Sequence, residues 1–191
     1  MRSVTELPGG YAPLMKIDLQ KDKKAALVVN GGSVLVMAAL WIAGCFIVPF
    51  SAFFQSGDLP FFLKPVLLIL SFCLYMVLHE AVHGIFMKGF GAKKVKFGFT
   101  GLYAYAGSQD YFYKKPYLTI ALAPVVFWGL VLLVLNCFAG AFWFWNIYFI
   151  QVGNLAGAAG DIYVTCKLLK MPSNILIRDT GVAMEVYGRT E

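Results

Sequence analysis

Apolar positions along this chain come in long blocks, not at the spacing of an amphipathic helix. Four blocks stand out, at 25–49, 63–87, 116–138 and 141–164. At about 1.5 Å rise per residue, each is long enough as a helix to cross a hydrocarbon layer of about 30 Å with room for tilt. None carries the polar face that would let it lie on a soluble core, so the pattern predicts four transmembrane helices. The first block follows the lysine-bearing stretch MKIDLQKDKKAALVV and has no short apolar core with a small-residue cleavage site. It reads as a retained helix, not a cleaved leader.

Between the second and third blocks the period changes from helical to two. Val95, Phe97 and Phe99 alternate with Lys94, Lys96 and Gly98, and after Thr100-Gly101 the residues Tyr103 and Tyr105 resume the alternation. That predicts a β-hairpin over 93–107 with one greasy side, lying at the membrane interface. Its edge offers a place where a substrate could add as a strand; the plainer reading is a hairpin that anchors the loop. The tail at 175–188 reads as a further strand, with Asp179 and Glu185 as surface charges. The segment 51–64 is apolar for a loop and is expected to dip into the membrane. The fold class expected is an all-α, four-span membrane protein with this small hairpin. It comprises an N-terminal tail (1–24), a transmembrane domain (25–166) and a C-terminal tail (167–191).

Composition agrees with the membrane class: 60% of the residues are hydrophobic, 14% are charged, and the mean hydropathy is +0.72. The positions of the charges add orientation. Arg2, Lys16, Lys21, Lys23 and Lys24 precede the first block. Lys88, Lys93, Lys94, Lys96, Lys114 and Lys115 lie between the second and third, and Lys167, Lys170, Arg178 and Arg189 follow the fourth. With four crossings, all but Lys64 of the 16 basic residues share one face. That face is expected to be cytoplasmic, with both termini on it, in a bacterial cell membrane. The net charge of +6 then reflects topology and contact with anionic lipid headgroups, not nucleic-acid binding. Cys45, Cys73 and Cys137 fall one in each of the first three blocks and Cys166 just past the fourth, without a C-x-x-C pair. They indicate packing, not a zinc ribbon or a disulfide framework.

One block contains residues that lipid tolerates poorly. The stretch LYMVLHEAVHGIFMKGF, at 74–90, holds both histidines of the chain. On an α-helix His79 and His83 are offset by about 40° one turn apart, so two imidazoles converge on one metal ion. Glu80 flanks that position, about 60° from His83, where a carboxylate can take a proton from water and pass it to a leaving amine. This is the physical content of H-E-x-x-H in zinc peptidases. Each ionisable residue at mid-bilayer costs roughly 2.5–3.5 kcal/mol on the lenient insertion scale, and a metal ion offsets that cost for all three together.

A catalytic zinc site takes three protein ligands and one open position. No histidine remains, and the four blocks contain one other acid, Asp161. His83 lies five residues before Lys88, about 7.5 Å, and Asp161 six before Lys167, about 9 Å, so the two fall level in this topology. Asp161 is therefore the candidate third ligand. Gly153 and Gly157, with Ala156 and Gly160 beside them, give small-residue lines suited to close helix approach. Asn154 precedes Asp161 by nearly two turns, on the same face of an unbroken helix. It is a candidate donor to substrate or to the developing oxyanion, or an interhelical polar contact. Gln151 reads as a packing residue.

HEAVH in a membrane helix, the ribbon after it, ALAP at 121–124 and the pairs Gly153-Asn154 and Gly160-Asp161 resemble the bacterial "putative zincin peptidase" family of small membrane proteins. That family is similar in turn to the site-2 proteases, which hold zinc with two HExxH histidines and an aspartate on a later helix. This chain departs from their N-x-x-P and D-G patterns: Leu-Ala-Gly follows Asn154, and Ile162 follows Asp161. The resemblance implies zinc held by His79, His83 and Asp161, and Glu80 as catalytic base. It also implies a membrane-protein or peptide substrate cut near the cytoplasmic face. Three other classes stay open, and one of them, a plain structural protein, leaves the three costly residues without a purpose. A metal transporter would need polar ligands along several spans, and the first and third have none. A pseudoprotease that binds clients has no need of an intact HExxH.

Overall fold

In a computed structural model of the chain, residues 2–18, 21–55, 57, 59–101 and 103–190 are described; positions 56 and 58 of the 51–64 segment and position 102 of the hairpin loop lie outside them. In chain order the elements are β1 (Ser3–Val4), β2 (Tyr11–Ile17), α1 (Lys23–Ile47) and a short 3-10 turn (Phe50–Phe54). Then come α2 (Leu63–Gly89), β3 (Lys96–Phe99), β4 (Ala104–Gly107), β5 (Tyr111–Tyr113) and α3 (Lys114–Phe138). The chain closes with α4 (Gly140–Gly157), α5 (Ala159–Leu169), β6 (Leu176–Asp179) and β7 (Met184–Arg189).

The all-α, four-span expectation is corrected in two ways. Among the described residues three helices, not four, are long and apolar enough to cross a membrane: α1, α2 and α3. The fourth apolar block is divided between α4 and α5, with Ala158 between them. Three polar side chains in α4 (Asn146, Gln151 and Asn154) interrupt its apolar run, and two of them, Asn146 and Asn154, are buried. Block length alone does not separate a buried helix from a span. With three candidate spans, the count that put every basic group but Lys64 on one side no longer follows. The second correction is the sheet. Five strands pair in the order β1-β5-β6-β7-β2, all antiparallel, and β3 pairs with β4 as a separate antiparallel ribbon.

The chain forms two compact units. The first comprises residues 1–28, 79–124 and 160–191 and contains both sheets; the second comprises 29–78 and 125–159. In the first, the register Phe112↔Ile177↔Val186↔Met15 makes one row across the large sheet. Phe112, Ile177 and Val186 are fully buried there with Met87, Ile120 and Leu168 of the helices. Side chains alternate faces, so the next row, Tyr111↔Arg178↔Glu185↔Lys16, lies on the other side. In that row Arg178 bonds to Glu185 and stacks against the Tyr111 and Tyr187 rings, and Lys16 Nζ is 3.3 Å from Glu185. The hydrogen bond from Arg178 to Glu185 raises the guanidinium above its ordinary value. The same bond, with that from the Tyr187 hydroxyl, holds the Glu185 carboxyl down at about 2.

Glu185 is therefore a stabilising group at neutral pH. Its contribution is present above the ordinary carboxylate value of 4.5 and is lost as pH falls towards about 2. Glu185→Gln is expected to lower stability at pH 7 and to flatten the acid side of the unfolding profile between those limits. Urea midpoints at stepped pH check both, and an unchanged acid limb would refute the assignment.

In the second unit Trp145 is fully buried against Ala52 and Phe144, with Phe50 and Phe53 around it. Lys64 is enclosed there: Nζ donates to the carbonyls of Ala52 (3.2 Å) and Gln55 (3.0 Å) and lies 4.2 Å from the centre of the Phe142 ring. Gly153 admits the Phe72 ring, where a Cβ would come within 2.3 Å of it, and Gly157 faces open space. The G-x-x-x-G pair thus seats an aromatic ring and does not bring two backbones together.

Candidate metal centre

The helix that carries HEAVH runs unbroken from Leu63 to Gly89, so His79 and His83 project on one face a turn apart. Their ring centroids are 5.2 Å apart. A carboxylate oxygen of Asp161, Oδ2, lies 3.5 Å from His79 Nε2 and 3.6 Å from His83 Nε2. Asp161 enters from the first turn of α5. One ligand atom from each of His79, Glu80 and His83 falls within 4.8 Å of the others. The structure therefore brings His79, Glu80, His83 and Asp161 together.

The donor set fits a zinc ion. Zn–N and Zn–O bonds of about 2.0–2.2 Å in a tetrahedron put neighbouring ligand atoms about 3.3–3.6 Å apart. The Asp161–imidazole distances of 3.5 and 3.6 Å fall in that range. Orientation agrees as well. His83 Nδ1 is 3.0 Å from the Ile120 carbonyl, which can only accept, so Nδ1 carries a proton and in the neutral ring the lone pair is on Nε2. In that form a lone pair and a carboxylate face each other, an arrangement that suits a bound cation.

Glu80 lies beside the ribbon, with the Ala106 N–H of β4 directed at its carboxylate. The ribbon is fixed in turn by close approach to the large sheet. Ser108 N donates to the Asp179 carbonyl at 2.7 Å, and a Cβ on Gly107 would lie 2.2 Å from the Thr180 carbonyl carbon. That atom is backbone and cannot swing aside. Gly107→Ala is expected to cost about 1–3 kcal/mol, as overpacked core sites do, in a chemical-denaturation measurement. Wild-type stability in this variant would show that the approach is looser.

Asp179, read from the sequence as a surface charge, lies on the helix-facing side of β6. It accepts the Tyr117 hydroxyl at 2.5 Å and the Gly181 N–H at 2.8 Å. Burial pushes its carboxyl above the ordinary value, against the pull of both bonds. Tyr117 and Asp179 tie α3 to the sheet beside the cluster, and no spacing rule in the sequence links them.

Asn154 belongs to the second unit and is fully buried. Its Oδ1 accepts the Tyr75 hydroxyl at 2.8 Å and its Nδ2 donates to the Val125 carbonyl at 3.1 Å. It clamps α4 to α2 and α3, the interhelical polar contact that is one of its two readings. The break at Ala158 explains the difference, because two turns of spacing share a face only along one helix. Gln151 donates to the Gly129 carbonyl at 3.3 Å, a packing role.

A family model described as "Putative zincin peptidase" matches residues 72–176, more than half of the chain. An "Uncharacterized 24.7 kDa protein in gap 5'region" from Pyrococcus woesei is 31% identical over 125 residues. The match covers 62% of this chain and 53% of that protein, so the chain spans about half the length of the curated relative it matches. No solved structure matches.

Proposed function

The chain belongs to the "Putative zincin peptidase" family, and on that premise we propose that it is a membrane-embedded zinc metallopeptidase. Its metal ligands are His79, His83 and Asp161, and its general base is Glu80. The observation that carries this reading is the single Asp161 oxygen within 3.6 Å of both imidazole Nε2 atoms, with Glu80 on the next position of the same helix. A zinc ion held there supplies a Lewis acid for the scissile carbonyl and lowers the pKa of adjacent water.

The chain's own groups do the rest. Glu80 takes the proton from the attacking water and delivers it to the leaving amine, with its carboxylate oriented by the Ala106 N–H. The substrate is a peptide segment of a membrane or membrane-associated protein. It lies along the β4 edge that faces Glu80, drawn out as an added strand, because a helical substrate hides its peptide bonds. The basic residues Lys88, Lys93, Lys94 and Lys96, at and after the end of α2, support a cytoplasmic position for this end.

The test is metal analysis of the purified chain, followed by hydrolysis of membrane-derived peptides in detergent with and without a chelator. Bound zinc with chelator-sensitive cleavage is expected. A pure, folded protein that takes up no zinc would overturn the reading.

A further inference from the structure

We infer that Pro124 is a positioning residue for the zinc site: by removing one helix donor it leaves the Ile120 carbonyl to fix the His83 ring. The inference rests on the metal-site reading above and adds to it a residue that touches neither metal nor substrate.

In an α-helix the N–H of each residue donates to the carbonyl four residues earlier. Along α3 the donor for Ile120 would be residue 124, which is the proline inside that helix. Proline has no N–H, and its ring presses on the carbonyl four residues before it, turning that group away from the ladder. Ile120 is 1% exposed, so water cannot take the donor's place. A buried carbonyl left without a partner costs about 1–3 kcal/mol.

His83 Nδ1 fills the vacancy at 3.0 Å. This one contact has two consequences. It selects the tautomer with the lone pair on Nε2, and it sets the ring plane so that Nε2 faces Asp161 at 3.6 Å. With an N–H at residue 124 the Ile120 carbonyl would be shared with the helix ladder, and its hold on the imidazole ring and tautomer would be weaker. Partners of this kind on a metal-bound histidine are worth about 10–100-fold in metal affinity.

The experiment compares zinc affinity, by chelator competition on the full chain in detergent, for wild type, Pro124→Ala and Pro116→Ala. Alanine at 124 restores the N–H that competes for Ile120 and improves intrinsic helix propensity, so the helix itself is not weakened. The expected result is about 10–100-fold weaker zinc binding for Pro124→Ala. Pro116→Ala should be unchanged, because Pro116 sits in the first turn of α3, where the N–H has no helical partner anyway.

With only two histidines in the chain, ¹⁵N-histidine spectra of the zinc-loaded protein report the ring directly. His83 should have its proton on Nδ1 in wild type and lose that slowly exchanging signal in Pro124→Ala. Wild-type affinity in Pro124→Ala, or metal on Nδ1 of His83, would overturn the inference while leaving the zinc site intact. Wild type without zinc would overturn the metal-site reading first. Should Pro124→Ala fail to fold, Pro124→Gly, which restores the same N–H, takes its place in both measurements.

Discussion

Glu80→Gln is expected to lower peptide hydrolysis by about 10²–10⁴-fold, the range that general acid–base groups contribute, while zinc content stays at the wild-type level. The substitution keeps size and leaves a carbonyl oxygen that can still accept the Ala106 N–H. What it removes is the ability to hold and release a proton. A structural Glu80 would give another pattern, with zinc content or folding falling together with rate. The measurement is therefore a pair: metal stoichiometry of each purified protein and turnover of one cleaved peptide. Turnover by Glu80→Gln close to wild type would eliminate Glu80 as the base. The KM should move little, because the group acts on the proton and not on the binding of the chain.

Much of the candidate centre was legible in the sequence because its geometry is local. His79, Glu80 and His83 lie within five consecutive positions of one helix, and 3.6 residues per turn fixes their relation before any tertiary contact forms. The depth count that points to Asp161 runs to Lys167, which lies with it in α5, and Asp161 sits beside both imidazoles although the block around it is divided. Asn154 went the other way. The spacing from Asn154 to Asp161 crosses Ala158, where the helix stops, and the Asn154 side chain turns to Tyr75 and Val125.

The large sheet was hidden for a different reason. Its strands are two to seven residues long, and β2 finds its partner β7 at the opposite end of the sequence. No window of local periodicity contains that pairing. The role of Pro124 was within reach. A proline past the first turn of a helix frees the carbonyl four residues before it, and the sequence does not say which donor comes to it.

Asp161→Ala should empty the site. Two imidazoles remain, both from one helix turn, and neither adds the negative charge that helps to hold a divalent cation. The expected loss of zinc affinity exceeds the roughly 10–100-fold that removal of an outer partner costs, because here a ligand itself is gone. Zinc stoichiometry after dialysis against a weak chelator reads this directly, and full occupancy in Asp161→Ala would show that the third ligand lies elsewhere. Asp161→Asn refines the result. It retains an oxygen donor of similar reach but loses the charge, so occupancy between wild type and alanine is the outcome that assigns the role to a charged ligand. The two variants also separate the parts of the centre. If Glu80→Gln keeps zinc and loses turnover while Asp161→Ala loses zinc and turnover together, binding and proton transfer reside in different side chains. That division is what the short Asp161–imidazole distances and the place of Glu80 between the two histidines on α2 imply.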